Sequence, residues 1–152
     1  MNGCRVTMAE LSALEGQEIG TSESVEISQN RIAQFAAATG DDQWIHLDPE
    51  RAARESPYGA TVAHGFLTLS LAGHFTGQVL EVTDARLRLN YGLGRVRFPS
   101  PVRAGSRIRG RVSVASVAEV SGGIQCEFLV TVECEGSPKP ACVAEFLVRY
   151  LT

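Results

Sequence analysis

Apolar residues recur at helical spacing in the first half of the chain and alternate with polar ones in the second. In "QNRIAQFAAAT", Ile32, Phe35, Ala36 and Thr39 fall on one side, because residues three and four apart share a helix face. Ser28 precedes the run as an N-cap, Ile27 and Ile32 can form a hydrophobic staple, and Gly40 supplies the stop. Before it, Val25 and Ile27 alternate with polar residues as in an edge strand. The start of the chain is loosely specified. Asp48 and Pro49 open a second short helix, since Asp accepts free amides and the fixed φ of Pro suits the first turn. "ESPYGATVA", broken by Pro57 and Gly59, reads as an irregular crossing segment.

The segment "HGFLTLSLAGHFTGQVL" has apolar residues on nearly every side, among them Phe66, Leu67, Leu71, Phe75 and Val79. Such a helix, over residues 65 to 78, is expected to be surrounded rather than laid on a surface. Everything after it is strand-like, with breaks at "FPSPVRAG", "SGG" and "EGSPKP". In "IQCEFLVTVEC" the residues Ile124, Cys126, Phe128, Val130, Val132 and Cys134 take alternate positions, so one face belongs to the core. Helices first and antiparallel strands afterwards make an α+β pattern. The economical arrangement is one sheet wrapped around the helix of residues 65 to 78, in a single domain over 1–152. No repeat or linker interrupts it.

Composition narrows the class. A chain of 152 residues buries about 70% of the surface its unfolded form exposes, so it needs no staples. No apolar run reaches the roughly 18 residues that span a bilayer, and "MNGCRVTMAELSALEG" lacks a basic head followed by an apolar core. The expected place is the cytoplasm, with no membrane partner. A net charge of −3 argues against general nucleic-acid binding. Eight arginines (Arg86, Arg88, Arg95, Arg97, Arg103, Arg107, Arg109 and Arg111) nevertheless crowd one window, either as a local anion site or, more simply, as solvated strand faces. Cys4, Cys126, Cys134 and Cys142 show no C-x-x-C pairing and read as buried thiols rather than metal ligands.

Chemistry concentrates in the loop expected just past the end of the first helix. Asp41 and His46 place a carboxylate and an imidazole five residues apart, able to hold one water and exchange protons with it near neutral pH. Taken alone, the same residues also suit a polar turn beside an exposed histidine. His64 and Gly65 open the apolar helix; first-turn amides lack internal partners, and glycine lets a carbonyl oxygen approach closely. The plainer reading makes Gly65 a packing residue. His74, inside the helix, reads as a core or interface histidine. Together the water pair and the amide suit addition of water across a double bond conjugated to a thioester, or its reversal. No metal or organic cofactor is required.

"FAAATGDDQWIHLDPERA" followed by "VAHGFLTLSL" resembles the hydratase signature of MaoC-like dehydratases, the R-specific enoyl-CoA hydratases of the hot-dog fold. "NYGLGRVRFPSPVRAGSRIR" extends the likeness and is similar to the NodN-like branch, so that it covers about residues 25 to 112. The resemblance implies that Asp41, rather than its neighbour Asp42, and His46 activate the water, and that the Gly65 backbone amide receives the thioester oxygen. It further implies an acyl-CoA substrate and a homodimer whose sheets join edge to edge, with the acyl chain in a tunnel between subunits. Many members carry Asn-Pro where this chain has Gln43 and Trp44, so the loop and substrate range are less constrained than the chemistry. Trp44, Tyr58 and His64 are then candidate tunnel residues. The alternatives are an acyl-carrier-protein dehydratase, a non-catalytic acyl-thioester-binding subunit and, with less support, a thioesterase.

Overall fold

The computed structural model describes residues 3–152. Its leading strands, β1 (Cys4–Val6), β2 (Glu18–Thr21) and β3 (Val25–Ile27), frame a 3-10 helix over Met8–Leu14. The loosely specified start is thus ordered: the Glu10 carboxylate accepts from the Thr7 amide at 2.8 Å, and Leu11 is fully buried. The helix α1 (Gln29–Thr39) has the ends that its flanking residues predict. Ser28 Oγ accepts from the Arg31 amide at 3.1 Å, Ile27 and Ile32 are buried, and Gly40 turns left-handed at φ 79°. Only a residue without Cβ adopts that φ at little cost.

The next segment departs from expectation. His46, expected in a loop, lies in the one-turn helix α2 (Trp44–Leu47), closed by the bonds His46 N–H to Gln43 O and Asp48 N–H to Trp44 O, each 3.0 Å. Asp48 then caps α3 (Pro49–Glu55) by accepting from the Arg51 amide. The apolar helix expected over residues 65 to 78 is two segments, α4 (Gly65–Ser70) and α5 (Ala72–Val79). They meet at Leu71, whose amide turns to Thr68 O while the Ser70 hydroxyl takes Leu67 O, so the regular i→i−4 ladder gives way to tighter bonds. Neither is surrounded on every side: Phe66 on α4 is 69% exposed, and α5 buries Ala72, Phe75, Thr76 and Val79 while His74 and Gly77 face outward.

A short strand β4 (Leu80–Val82) pairs in parallel with β1, apart from the main sheet. That sheet adds β5 (Leu87–Arg97), β6 (Ser106–Val120), β7 (Gly123–Cys134) and β8 (Cys142–Leu151) in the order β2-β6-β7-β8-β5, with β3 also paired to β6 and every neighbour antiparallel. The expected alternation in β7 holds: Cys126, Phe128, Val130, Val132 and Cys134 are buried. Helix α5 lies on this concave face. A Cβ on Gly110 of β6 would stand 2.6 Å from Phe75 Cβ, so a glycine is what lets helix and sheet approach.

The arginine window is not one cationic patch. Arg109 and Arg111 each reach Glu133 at 3.0 Å, Arg107 lies 3.8 Å from Glu135, and Arg88 turns inward to Gly73 O and Thr76. Burial pushes the Glu133 carboxyl up, but Arg111 and Arg109 outweigh it and hold the group below the usual range. Of the cysteines, three are buried as expected and Cys4 is only half-buried. Burial pushes the Cys126 thiol up to about 12 and Cys142 to about 11, which keeps both as inert packing groups. Among the described residues no helix is long and apolar enough to cross a membrane.

Candidate active site

The left-handed Gly40 ends α1 sharply and delivers Asp41 into the link to α2, with its side chain exposed. His46, one turn further, is buried, 7% exposed. Its Nδ1 stands 2.7 Å from Val62 O. A carbonyl only accepts, so Nδ1 carries the proton and the Nε2 lone pair is left to act as a base. Gln29 secures the same corner: its Nε2 donates to His46 O at 2.7 Å, and its Oε1 accepts from the Thr61 hydroxyl. Neither Gln29 nor Thr61 stands out in the sequence, because they are 32 positions apart and the chain between them carries no periodic signal for the contact.

His64 comes to the same place from the start of α4. It is 2% exposed, its Nε2 lies 2.8 Å from the Asp41 main-chain oxygen, and its ring stacks on His46 with centroids 3.8 Å apart and planes 23° apart. One carboxylate oxygen of Asp41 and one nitrogen from each of His46 and His64 all lie within 4.8 Å of one another. No ion pair joins Asp41 to either ring among the described residues. A water accepting and donating bonds of about 2.8 Å spans roughly that gap. The stacked rings direct their lone pairs in nearly parallel planes, which do not converge on a single ion as metal ligands must.

Gly65 begins α4 beside this cluster, and its amide has no acceptor among the described residues. It lines a hollow of about 420 Å³ together with His46, Tyr58, Thr68, Phe98 and Val102. The Phe98 ring lies flat against Gly65, where an added Cβ would be 3.2 Å from three ring carbons. Phe98 thus packs against Gly65 where any larger residue would place its side chain, a contact that nothing local in the sequence marks. The structure therefore brings Asp41, His46, His64 and Gly65 together and places Tyr58 at the rim. Trp44 and His64, also expected along a tunnel, are not among the lining residues: Trp44 lies under the Arg51 guanidinium at 4.2 Å, and the His64 ring is packed inside. His74 is also elsewhere, next to the Gln78 amide on α5. A base and an open amide donor on the wall of one hollow, with a carboxylate within 4.8 Å of the base, can move a proton on and off water while holding a developing oxyanion.

A family model described as a MaoC like domain matches residues 10–134. The chain is 49% identical over 146 residues to 3-hydroxyacyl-thioester dehydratase Z of Mycobacterium tuberculosis, covering 95% of this chain and 96% of that protein. It is 47% identical to nodulation protein N of Rhizobium leguminosarum bv. viciae, covering 93% and 89%. Among solved structures, the unliganded R-hydratase PhaJ1 from Pseudomonas aeruginosa superposes with a TM-score of 0.75 over 95% of this chain and 85% of that one, at 23% identity. The last is a likeness of fold.

Proposed function

The chain belongs to the family of MaoC-like domains, a hydro-lyase of the hot-dog fold that acts on acyl thioesters, and on that premise we propose that it interconverts trans-2-enoyl-CoA and R-3-hydroxyacyl-CoA. In the hydration direction, the Asp41 and His46 pair takes one proton from water as the hydroxyl adds to the β-carbon. The π electrons move toward the thioester carbonyl, and its oxygen, now an enolate, receives the Gly65 N–H. The enolate collapses as the proton taken from water returns to the α-carbon. Water is consumed and no net proton is lost. The observation that carries this reading is the free Gly65 amide and the His46 ring on the wall of one hollow, with the Asp41 carboxylate within 4.8 Å of that ring.

The test is to mix purified protein with crotonyl-CoA and follow loss of the enoyl-thioester absorbance, then to repeat it with the acyl group on an acyl-carrier protein. Turnover on CoA with the R product supports the proposal. Turnover only on the protein carrier favours the second reading, a 3-hydroxyacyl-carrier-protein dehydratase, which the carrier-neutral name of the 49% identical relative also permits. Inactivity on both, over short and long chains, rules out the proposed hydration and favours a non-catalytic acyl-thioester-binding subunit.

The proposed assembly is a homodimer joined along β5. Among the described residues this strand ends the sheet with an unpaired edge, and Leu87, Leu89, Tyr91 and Leu93 along it are exposed. A long apolar edge is open to pairing with another chain unless it is covered. Light scattering is expected to give twice the 16.3 kDa chain mass, and a Leu89→Lys, Leu93→Lys variant is expected to fall to the monomer. A wild type that stays monomeric at micromolar concentration rules the dimer out.

A further inference from the structure

His64 is the buried polar side chain at the site that the proposed chemistry leaves without a task. A carbonyl accepts only, so its 2.8 Å contact with Asp41 O is a bond donated by Nε2–H. Its Nδ1 is buried and has no hydrogen-bond partner among the described residues. Unpaired buried acceptors are uncommon and call for a reason. His64 cannot itself trade protons with a substrate: one nitrogen is held by the carbonyl and the other is sealed in the interior.

What the ring does touch is specific. One face meets His46 at 3.8 Å, and Phe35 of α1 lies tilted against it at 4.9 Å. The same residue is the N-cap of α4, directly before Gly65. Asp41, by contrast, is exposed, and its other bond near the loop is a 3.4 Å contact from its amide to Thr39 Oγ1. An exposed carboxylate on a short link is free to turn away from the water it has to hold. Misplacing a reacting group by about 1 Å costs on the order of 10²-fold in rate.

From this we infer that His64 is a positioning residue: the Nε2–H···O=C bond to Asp41 holds the link so that the carboxylate faces the stacked His46 ring. The inference rests on the proposed role of Asp41 as part of the base. It explains why a histidine occupies this buried place despite the idle Nδ1. A ring is needed to fill the space between His46 and Phe35, and a donor is needed at its far corner. Phenylalanine offers the first and glutamine the second.

Those two variants separate the parts. His64→Phe is expected to lower kcat on the wild type's enoyl thioester by about 10- to 100-fold with KM within about threefold, by the misplacement argument. His64→Gln, which restores a donor near the position of Nε2, is expected to stay within about fivefold of wild type. In an Asp41→Asn background, His64→Phe is expected to cost nothing further, because residues acting as one unit are non-additive. His64→Phe at the wild-type rate overturns the inference, as does a Gln variant as slow as Phe. If instead Asp41→Asn keeps the full rate, the proposed base fails, and the positioning role with it. Should His64→Phe not fold, imidazole ¹⁵N spectra of the wild type decide. A proton on Nε2 and none on Nδ1 support the bond, and the reverse tautomer removes it.

Discussion

Asp41→Asn and His46→Gln should each reduce kcat for hydration of a trans-2-enoyl thioester by about 10²- to 10⁴-fold, the range for loss of a positioned acid or base. Both changes keep nearly the same volume, so the effect is chemical. Asn cannot take a proton from water. Gln in place of His46 cannot do so either, and it loses the Nδ1–H bond to Val62 O that directs the ring. KM should move little, since neither side chain is the proposed partner of the thioester oxygen. The double variant should be scarcely slower than the worse single one, because one water is shared between them. Steady-state kinetics on all three proteins check this. A single variant within about threefold of wild type would remove that residue from the mechanism.

Phe75→Ala should lower the stability of the fold by about 3–5 kcal/mol, the cost of emptying a buried aromatic site. Phe75 is 0% exposed at the centre of α5, and its ring atoms lie against the backbone of Gly110. The strand there is held on both sides, by β2 and β7, so it cannot move in to fill the space. Small domains are stable by only about 5–15 kcal/mol, so the loss is a large share of the total. Urea denaturation should show it at unchanged m-value, with a fall in Tm on the order of 10 °C. A change under about 1 kcal/mol would mean that α5 is not the plug of the sheet. Activity should fall with it, because α5 follows α4, and α4 carries the Gly65 amide.

The legible parts of this protein share a trait. Ser28, Gly40 and Asp48 announce helix ends through bonds made within four residues, and each makes the expected contact. The alternation in β7 is equally local, since period two is a property of one strand. Where local signals compete, less is legible: the apolar run from Phe66 to Leu80 hides the break at Leu71, which depends on where the Ser70 hydroxyl bonds. The exposure of Phe66 was equally hidden, because apolar content alone does not say which side of a helix the sheet covers.

The candidate site was legible only as motifs. Asp41, His46 and Gly65 stand out by type and by the resemblance of their surroundings to a known signature, yet their spacing alone fits a polar turn equally well. Tertiary structure decided the rest. The His46 and His64 rings stack although they are 18 positions apart in the chain, and Gln29, Thr61 and Phe98 join the site from three different segments. It also decided that Trp44 pairs with Arg51 and that the arginine window is largely spent on Glu133, Glu135 and backbone carbonyls. By itself the sequence determined the elements, their caps and the α+β class, because propensity, capping and periodicity act over a few residues. The geometry of the candidate site came from the sheet closing on α5, which carries α4 and the crossing segment up against the end of α1, and contacts made by that closure leave no trace in local spacing.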